Sequence, residues 1–174
     1  MVKEEHLAKA PEKPRFSVIT VSTSRHREFK EGGSYEDPSG NIAVEILERA
    51  GMTLNSRYLV PDVVEEVREA VMRSIYSDGS QIVILTGGTG IAAGDVTIEA
   101  IEPLLEKKLT NFPPLFTLLS FHEAGTDTLT SRTMAGTLGG SVVFCLPGSP
   151  GAVRLALEKI VTPQIRHILH HLQE

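Results

Sequence analysis

Apolar residues fall along this chain in two rhythms. Phe16-Ser17-Val18-Ile19-Thr20-Val21, Gln81 to Leu85 and Ser141 to Leu146 are mainly apolar runs of strand length, rich in β-branched residues. Such runs suit strands buried on both faces. Met52 to Val60 is a weaker run of the same kind. Between the runs the apolar positions recur every three to four residues, as on a helix face. Ile42, Ala43, Ile46, Leu47 and Ala50 form one such stripe, with Ser39 as a candidate N-cap and Gly51 as its stop. Val63, Val64, Val67, Ala70, Val71 and Ile75 form a second, opened by Pro61-Asp62, with Asp62 and Glu65 at capping-box spacing. A third helix is expected from about Val96 to Lys107. The last stripe runs from Val153 to Leu172, and Pro163 kinks or splits it.

Three stretches have no clean rhythm. Thr23 to Pro38 reads as a long polar loop. Asn111 to Gly125 reads as a helix if Pro113-Pro114 open it, and Thr126 to Gly140 reads as loop or short strands. Strand and helix otherwise alternate, which predicts a three-layer α/β fold: a mostly parallel sheet with helices on both faces. In such sheets ligands bind beyond the carboxyl ends of the strands. Residues 22–37, 61–62, 86–95 and 147–150 all follow expected strands and should converge on one edge.

Leu85 to Ala100 carries the densest chemical signal: Thr86-Gly87-Gly88-Thr89-Gly90 at a strand-to-helix turn, then Gly94-Asp95. Bare backbone N–H groups at a helix start make an anion site. The loop lies mid-chain, and no acid follows at the spacing a dinucleotide fold needs. No Gly-Lys-Ser/Thr follows for a Walker A loop. Asp95 is either a helix N-cap or a ligand, and the same choice holds for Asp62. Both can hold Mg²⁺, which takes carboxylate together with phosphate oxygens. Ser131-Arg132 is either a surface pair or a phosphate fork. In Pro147-Gly148-Ser149-Pro150, Ser149 is the candidate N-cap with Pro150 at the first helical position. His167 and His171 stand four apart, but without a glutamate after His167 they read as a solvated helix end. Cys145, inside an apolar run, reads as a buried, inert thiol.

Composition narrows the classes. A chain of 174 residues with 41% hydrophobic and 22% charged residues suits one compact domain, residues 15–174, preceded by a polar arm, residues 1–14. That arm lacks the apolar core of a signal peptide. A net charge of −5 does not fit a nucleic-acid surface. No apolar run approaches the roughly 20 residues that cross a bilayer. One cysteine forms no internal disulfide and fits a reducing compartment.

The motifs, taken in order, resemble the MoaB/MogA family of molybdenum-cofactor biosynthesis proteins, and its MoaB branch most. The resemblance rests on Val18 to Ser22, Asp37-Pro38-Ser39-Gly40, Pro61-Asp62, Thr86 to Gly90 with Gly94-Asp95 and Glu99-Ala100, Thr128 to Arg132 with Ala135-Gly136, and Leu146 to Pro150. It implies a molybdopterin-binding fold, a trimer or hexamer, and a cytoplasmic role. It also implies adenylylation of molybdopterin by Mg-ATP, with release of pyrophosphate. Asp62 and Asp95 match the family's essential carboxylates, implied to be catalytic and to hold Mg²⁺. Thr86, Gly87, Gly88, Thr89 and Gly90 match its substrate loop. Ser22, Asp37, Ser39, Gly40, Ser131, Arg132, Pro147, Gly148 and Ser149 match segments lining the pterin and nucleotide region. The chain departs from the pattern at Gly94, where many members have Arg. It departs again at Pro114 and Thr117, where many have Glu and Arg. Positive charge facing substrate would then come from Arg132 or from Arg25 to Lys30. The departures leave a rival open: a pterin- or nucleotide-binding protein of the same fold without turnover.

Overall fold

The computed structural model describes residues 13–174. The expected polar arm therefore lies outside the described residues except for Lys13 and Pro14. Pro14 is buried, and its carbonyl accepts from the Thr53 N–H at 2.9 Å.

Six strands form one sheet: β1 (Arg15–Val21), β2 (Thr53–Val60), β3 (Ile82–Thr86), β4 (Lys107–Lys108), β5 (Met134–Leu138) and β6 (Ser141–Leu146). Their order is β2-β1-β3-β6-β5-β4. The first four in that order run parallel; β5 pairs antiparallel with β6, and β4 pairs antiparallel with β5 at the edge. The fold is thus the expected α/β class with a mostly parallel sheet. Side chains alternate across it. Ile82, Ile84, Val142, Phe144 and Leu146 enter one core, and Val83, Leu85, Val143 and Cys145 enter the other. This is why β3 and β6 are apolar at every position or nearly so.

The helices are α1 (Thr23–Lys30), α2 (Pro38–Arg49), α3 (Val64–Met72), α4 (Thr97–Ile101), α5 (Phe112–Ala124), α6 (Pro150–Ala156) and α7 (Thr162–His171). Ala43, Ile46 and Leu47 of α2, Phe112 and Phe116 of α5, Val153 of α6 and Ile165 of α7 cover the first face. Val67, Ala70 and Val71 of α3 and Ala100 and Ile101 of α4 cover the second.

Several local expectations are corrected. Residues 23–30 are helical rather than loop. Helix α1 buries no residue, so no apolar stripe announced it, and the Ser22 hydroxyl caps it by accepting from the Arg25 N–H. The N-cap of α2 is Asp37, not Ser39: its Oδ1 accepts from the Gly40 N–H at 2.9 Å, with Pro38 at the first helical position. Asp62 and Glu65 form no capping box. The N-cap of α3 is Val63, without a side-chain bond, and Asp62 is engaged elsewhere. Asp95 does not cap α4 either; Val96 holds that position. Helix α4 stops short, passing at Glu102–Leu104 into a 3-10 turn containing Pro103. Proline does open α5, and Ser149 caps α6 as expected, accepting from the Ala152 N–H. Widened π-helical turns at Arg73–Ser77 and Leu157–Val161 extend α3 and join α6 to α7 ahead of Pro163. Among the described residues, no helix is long and apolar enough to cross a membrane.

Candidate functional site

Strand order fixes where chemistry can gather. The chain places β2 on one side of β1 and β3 on the other, so β1 and β3 flank a topological switch point. Pairing of Val21 with Val60, Thr20 with Thr86, and Thr86 with Leu146 brings four strand ends level. The segments leaving them are Ser22-Thr23, Pro61-Asp62, Gly87-Gly88 and Pro147-Gly148.

Hydrogen bonds tie these segments together. Thr23 donates to Asp62 Oδ2 from its N–H at 2.9 Å and from its hydroxyl at 2.7 Å. The Asp62 N–H returns a bond to Thr23 Oγ1 at 2.9 Å. The Gly87 N–H donates to the Leu146 carbonyl at 3.1 Å, and the Thr86 hydroxyl to the Pro147 carbonyl at 3.2 Å. The Ser39 hydroxyl, buried at the start of α2, donates to the Gly148 carbonyl at 2.6 Å. Residues expected to converge from sequence are therefore adjacent in space.

Gly87 and Gly88 have φ of +96° and +63°, a region open to glycine at little cost. A Cβ at Gly87 would collide with the Val21 carbonyl. One at Gly88 would lie 2.5 Å from Thr97 Oγ1 and 2.8 Å from Asp62 Oδ1. A Cβ at Gly90 would lie 2.7 Å from Asp95 Oδ2. The two carboxylates thus stand over the same loop, at Gly88 and Gly90, whose Cα atoms are at most ~7 Å apart. Asp95 Oδ2 accepts from the Ala92 N–H at 2.9 Å, a local loop staple in place of the expected cap. Asp62 Oδ1 and Asp95 Oδ1 accept no hydrogen bond among the described residues. The N–H groups of Gly88, Thr89 and Gly90 donate none among them either, whereas that of Gly87 is spent on Leu146. The arrangement brings two carboxylates beside a run of three amides that have no partner among the described residues.

The structure places other candidates differently. Arg132 is engaged at the loop itself. Its Nε donates to the Thr89 carbonyl at 3.0 Å and the Gly90 carbonyl at 2.9 Å, and its two terminal nitrogens meet the Glu99 carboxylate at 2.5 and 3.2 Å. That guanidinium holds the loop's shape and keeps the Glu99 carboxyl below its ordinary range. Asp37 is buried and saturated: besides capping α2, its Oδ2 accepts from the Thr20 hydroxyl at 2.7 Å and from Arg57 at 2.8 Å. It organises the strand end. Gly40 lies so close to Asp37 and Arg57 that any side chain there would collide with them. Ser131 and Ser149 share a separate cleft of about 320 Å³ with Phe116, Ser120 and Thr128. A second cleft, about 450 Å³, runs along Ile91, Asp95, Val96, Glu99 and Arg132.

Arg25 and Lys30 ride on α1, at the same sheet edge, with Arg25 Nε donating to the Glu36 carbonyl at 2.7 Å. Gly94 borders open space, so the loop itself carries no cation. Pro114 and Thr117 are exposed on α5, on the face shared with Leu118 and Phe121. They do not line the cleft that Phe116 and Ser120 border. Cys145 is fully buried, and burial pushes its thiol up out of the reactive range. Sequence reasoning missed Thr23, which holds Asp62; no local pattern links residues 39 apart.

Comparison with known proteins agrees with this geometry. Residues 17–167 match the family model described as a probable molybdopterin binding domain. The chain is 39% identical over 169 residues to molybdenum cofactor biosynthesis protein B of Bacillus anthracis, covering 97% of this chain and 96% of that one. It is 41% identical over 175 residues to the molybdopterin adenylyltransferase of Pyrococcus furiosus, covering 98% of each. The crystal structure of the tungsten cofactor synthesizing protein MoaB from Pyrococcus furiosus superposes with a TM-score of 0.84. It is 39% identical, and the match covers 95% of this chain and all of that one. With the match running through every strand and loop that builds the site, the chain belongs to the family of the probable molybdopterin binding domain.

Proposed function

We propose that this protein is a molybdopterin adenylyltransferase of molybdenum-cofactor biosynthesis. The observation that carries the proposal is the pair of carboxylates beside three loop amides, unpartnered among the described residues, at the switch point of the sheet. The adenylyltransferase of Pyrococcus furiosus, which this chain matches over nearly its whole length, supports it.

In the proposed reaction the terminal phosphate of molybdopterin attacks the α-phosphorus of ATP. The bond from that phosphorus to the bridging oxygen of the β-phosphate breaks, and pyrophosphate leaves. A phosphate monoester is already anionic at neutral pH, so the attack needs no strong base. The protein's task is then positioning and charge neutralisation. The N–H groups of Gly88, Thr89 and Gly90 hold a phosphate of the substrates, and Arg132 engages the Thr89 and Gly90 carbonyls. Arg25 and Lys30 supply the positive charge that the loop lacks. The cleft at Ser131 and Ser149 takes the pterin side.

The donor set suits Mg²⁺. Asp62 and Asp95 each have Oδ2 fixed by N–H or O–H donors, and the Oδ1 of each accepts no hydrogen bond among the described residues. Two carboxylates are what Mg²⁺ takes when substrate phosphates complete its shell. When bound there, the ion neutralises charge on the ATP phosphates.

The protein also assembles with copies of itself. Leu115, Leu118 and Phe121 leave the outer face of α5 apolar and 44–58% exposed, an unusual surface for a lone subunit. Light scattering giving the monomer mass would remove this part of the proposal. The activity itself is tested by pyrophosphate release from molybdopterin and Mg-ATP. The parent releases it, and Asp95→Asn, correctly folded by circular dichroism, does not. Substrate binding without release by the parent would make it a binding protein of the same fold. Unchanged turnover in Asp95→Asn would end the assignment of Asp95.

A further inference from the structure

The C-terminal helix carries a second set of metal-type donors, remote in sequence from the loops described above. His167 and His171 are one turn apart on α7, and their Nε2 atoms face each other at 3.2 Å. The rings stand edge to face, with centroids 4.4 Å apart. Two nitrogens bound at ~2.0–2.1 Å to one ion at the tetrahedral angle lie ~3.3–3.4 Å apart. The observed separation is close to that spacing.

The chemistry of the donors agrees. Glu174 Oε2 lies 2.9 Å from His171 Nδ1. A carboxylate only accepts, so Nδ1 carries a proton, and in that tautomer of neutral imidazole Nε2, the atom facing His167, is the one with the lone pair. This is the carboxylate–histidine pairing that orients ligand imidazoles in metal proteins. The His171 side chain is half exposed, which leaves an ion a path to it. Helix α7 fixes both Cα positions, so little freedom is lost when the rings close on an ion.

We infer that His167 and His171 form a binding site for a late first-row divalent cation of the zinc class, with Glu174 as its positioning residue. Water completes the shell, and the ion ties the last turn of the helix. Imidazole pairs select such ions over Mg²⁺, which prefers oxygen. The site is therefore distinct in metal chemistry from Asp62 and Asp95, and stands or falls independently of the proposed transfer reaction.

The test is calorimetric titration of the untagged, full-length protein with Zn²⁺ in excess Mg²⁺. One strong site is expected. His167→Gln and His171→Gln should each weaken it at least tenfold, and Glu174→Gln by about tenfold. Asp95→Asn should leave it in place. Zn²⁺ binding unaffected by either histidine change, or no Zn²⁺ binding, would overturn the assignment; in the latter case the two rings share only an N–H···N bond. Circular dichroism shows whether each variant is folded, and these changes outside the core should leave the spectrum intact.

Discussion

Replacing Asp62 by Asn separates two roles that one carboxylate combines. Its Oδ2 is a strut, accepting two bonds from Thr23, while Oδ1 stands over Gly88. An Asn oriented with its carbonyl toward Thr23 keeps both bonds in neutral form and turns an amide NH₂ toward the loop. Hydrogen bonds to a charged group contribute about 1.5–3 kcal/mol, and neutral ones about 0.5–1.5. This pair is solvent-accessible, so the low ends apply and the loss is about 1 kcal/mol per bond, about 2 kcal/mol for the two. For a chain of this size that lowers Tm by about 4–8 °C. Thr23→Ala removes the hydroxyl from the same pair and should cost about as much, while leaving the carboxylate in place. The rates should diverge. Asp62→Asn removes the charge facing substrate, and pyrophosphate release should fall at least ~100-fold, about 2.7 kcal/mol of transition-state stabilisation. Thr23→Ala leaves the backbone N–H bond to Oδ2, and its rate should fall about tenfold or less. Pyrophosphate release measured beside thermal unfolding gives both quantities. Equal losses of rate in the two variants would show that Asp62 acts only as a strut. An unchanged rate in Asp62→Asn would remove it from the site.

Two further outcomes follow from the loop's supports. The Glu99 carboxyl is held below its ordinary value of 4.5 chiefly by its bonds from Arg132. Its folded-state pKa is thus depressed, so the ion pair stabilises fully above about pH 4.5 and fades as pH falls through the lowered value. Glu99 is half exposed, so the contribution is under ~1 kcal/mol, and urea unfolding of Arg132→Ala against the parent should show a gap that narrows in acid. A gap constant from pH 7 down to pH 3 would refute the pairing. Gly87→Ala should lose at least ~2 kcal/mol, because φ is positive and the added carbon meets the Val21 carbonyl. Gly94→Ala, bordered by open space, should change stability by less than ~0.5 kcal/mol in the same unfolding experiment.

The layered sheet was legible in the sequence because β1, β3 and β6 are buried on both faces and had to be apolar at most positions. The convergence of loops followed from that alone, since parallel strands put their carboxyl ends on one edge. Helix α1 was illegible: it buries nothing, so periodicity had nothing to report. Asp37 and Ser39 are both cap-type residues, and Pro38 at the first helical position was the signal in favour of Asp37. Asp62 and Asp95 each had a local capping reading, and each proved engaged otherwise. One is held by Thr23 from another strand end, the other by Ala92 within its own loop. The charge on Arg132 was visible, but its partners at Thr89, Gly90 and Glu99 lie more than thirty residues away. Spacing within one motif carries no information about such bonds.

The Gly87 N–H bond to the Leu146 carbonyl has a consequence for biosynthesis. The glycine loop is synthesised some sixty residues before the strand that fixes it, and the intervening chain includes α4, α5, β4 and β5. Until β6 is inserted beside β3, neither Gly87 nor the Thr86 hydroxyl has its acceptor. Because these contacts are non-local, they form slowly and together with the sheet. A chain still on the ribosome, or truncated before residue 146, would carry every residue of the loop and both flanking carboxylates without the conformation that makes them a site. The conformation of the glycine loop thus arrives only with the closing strand.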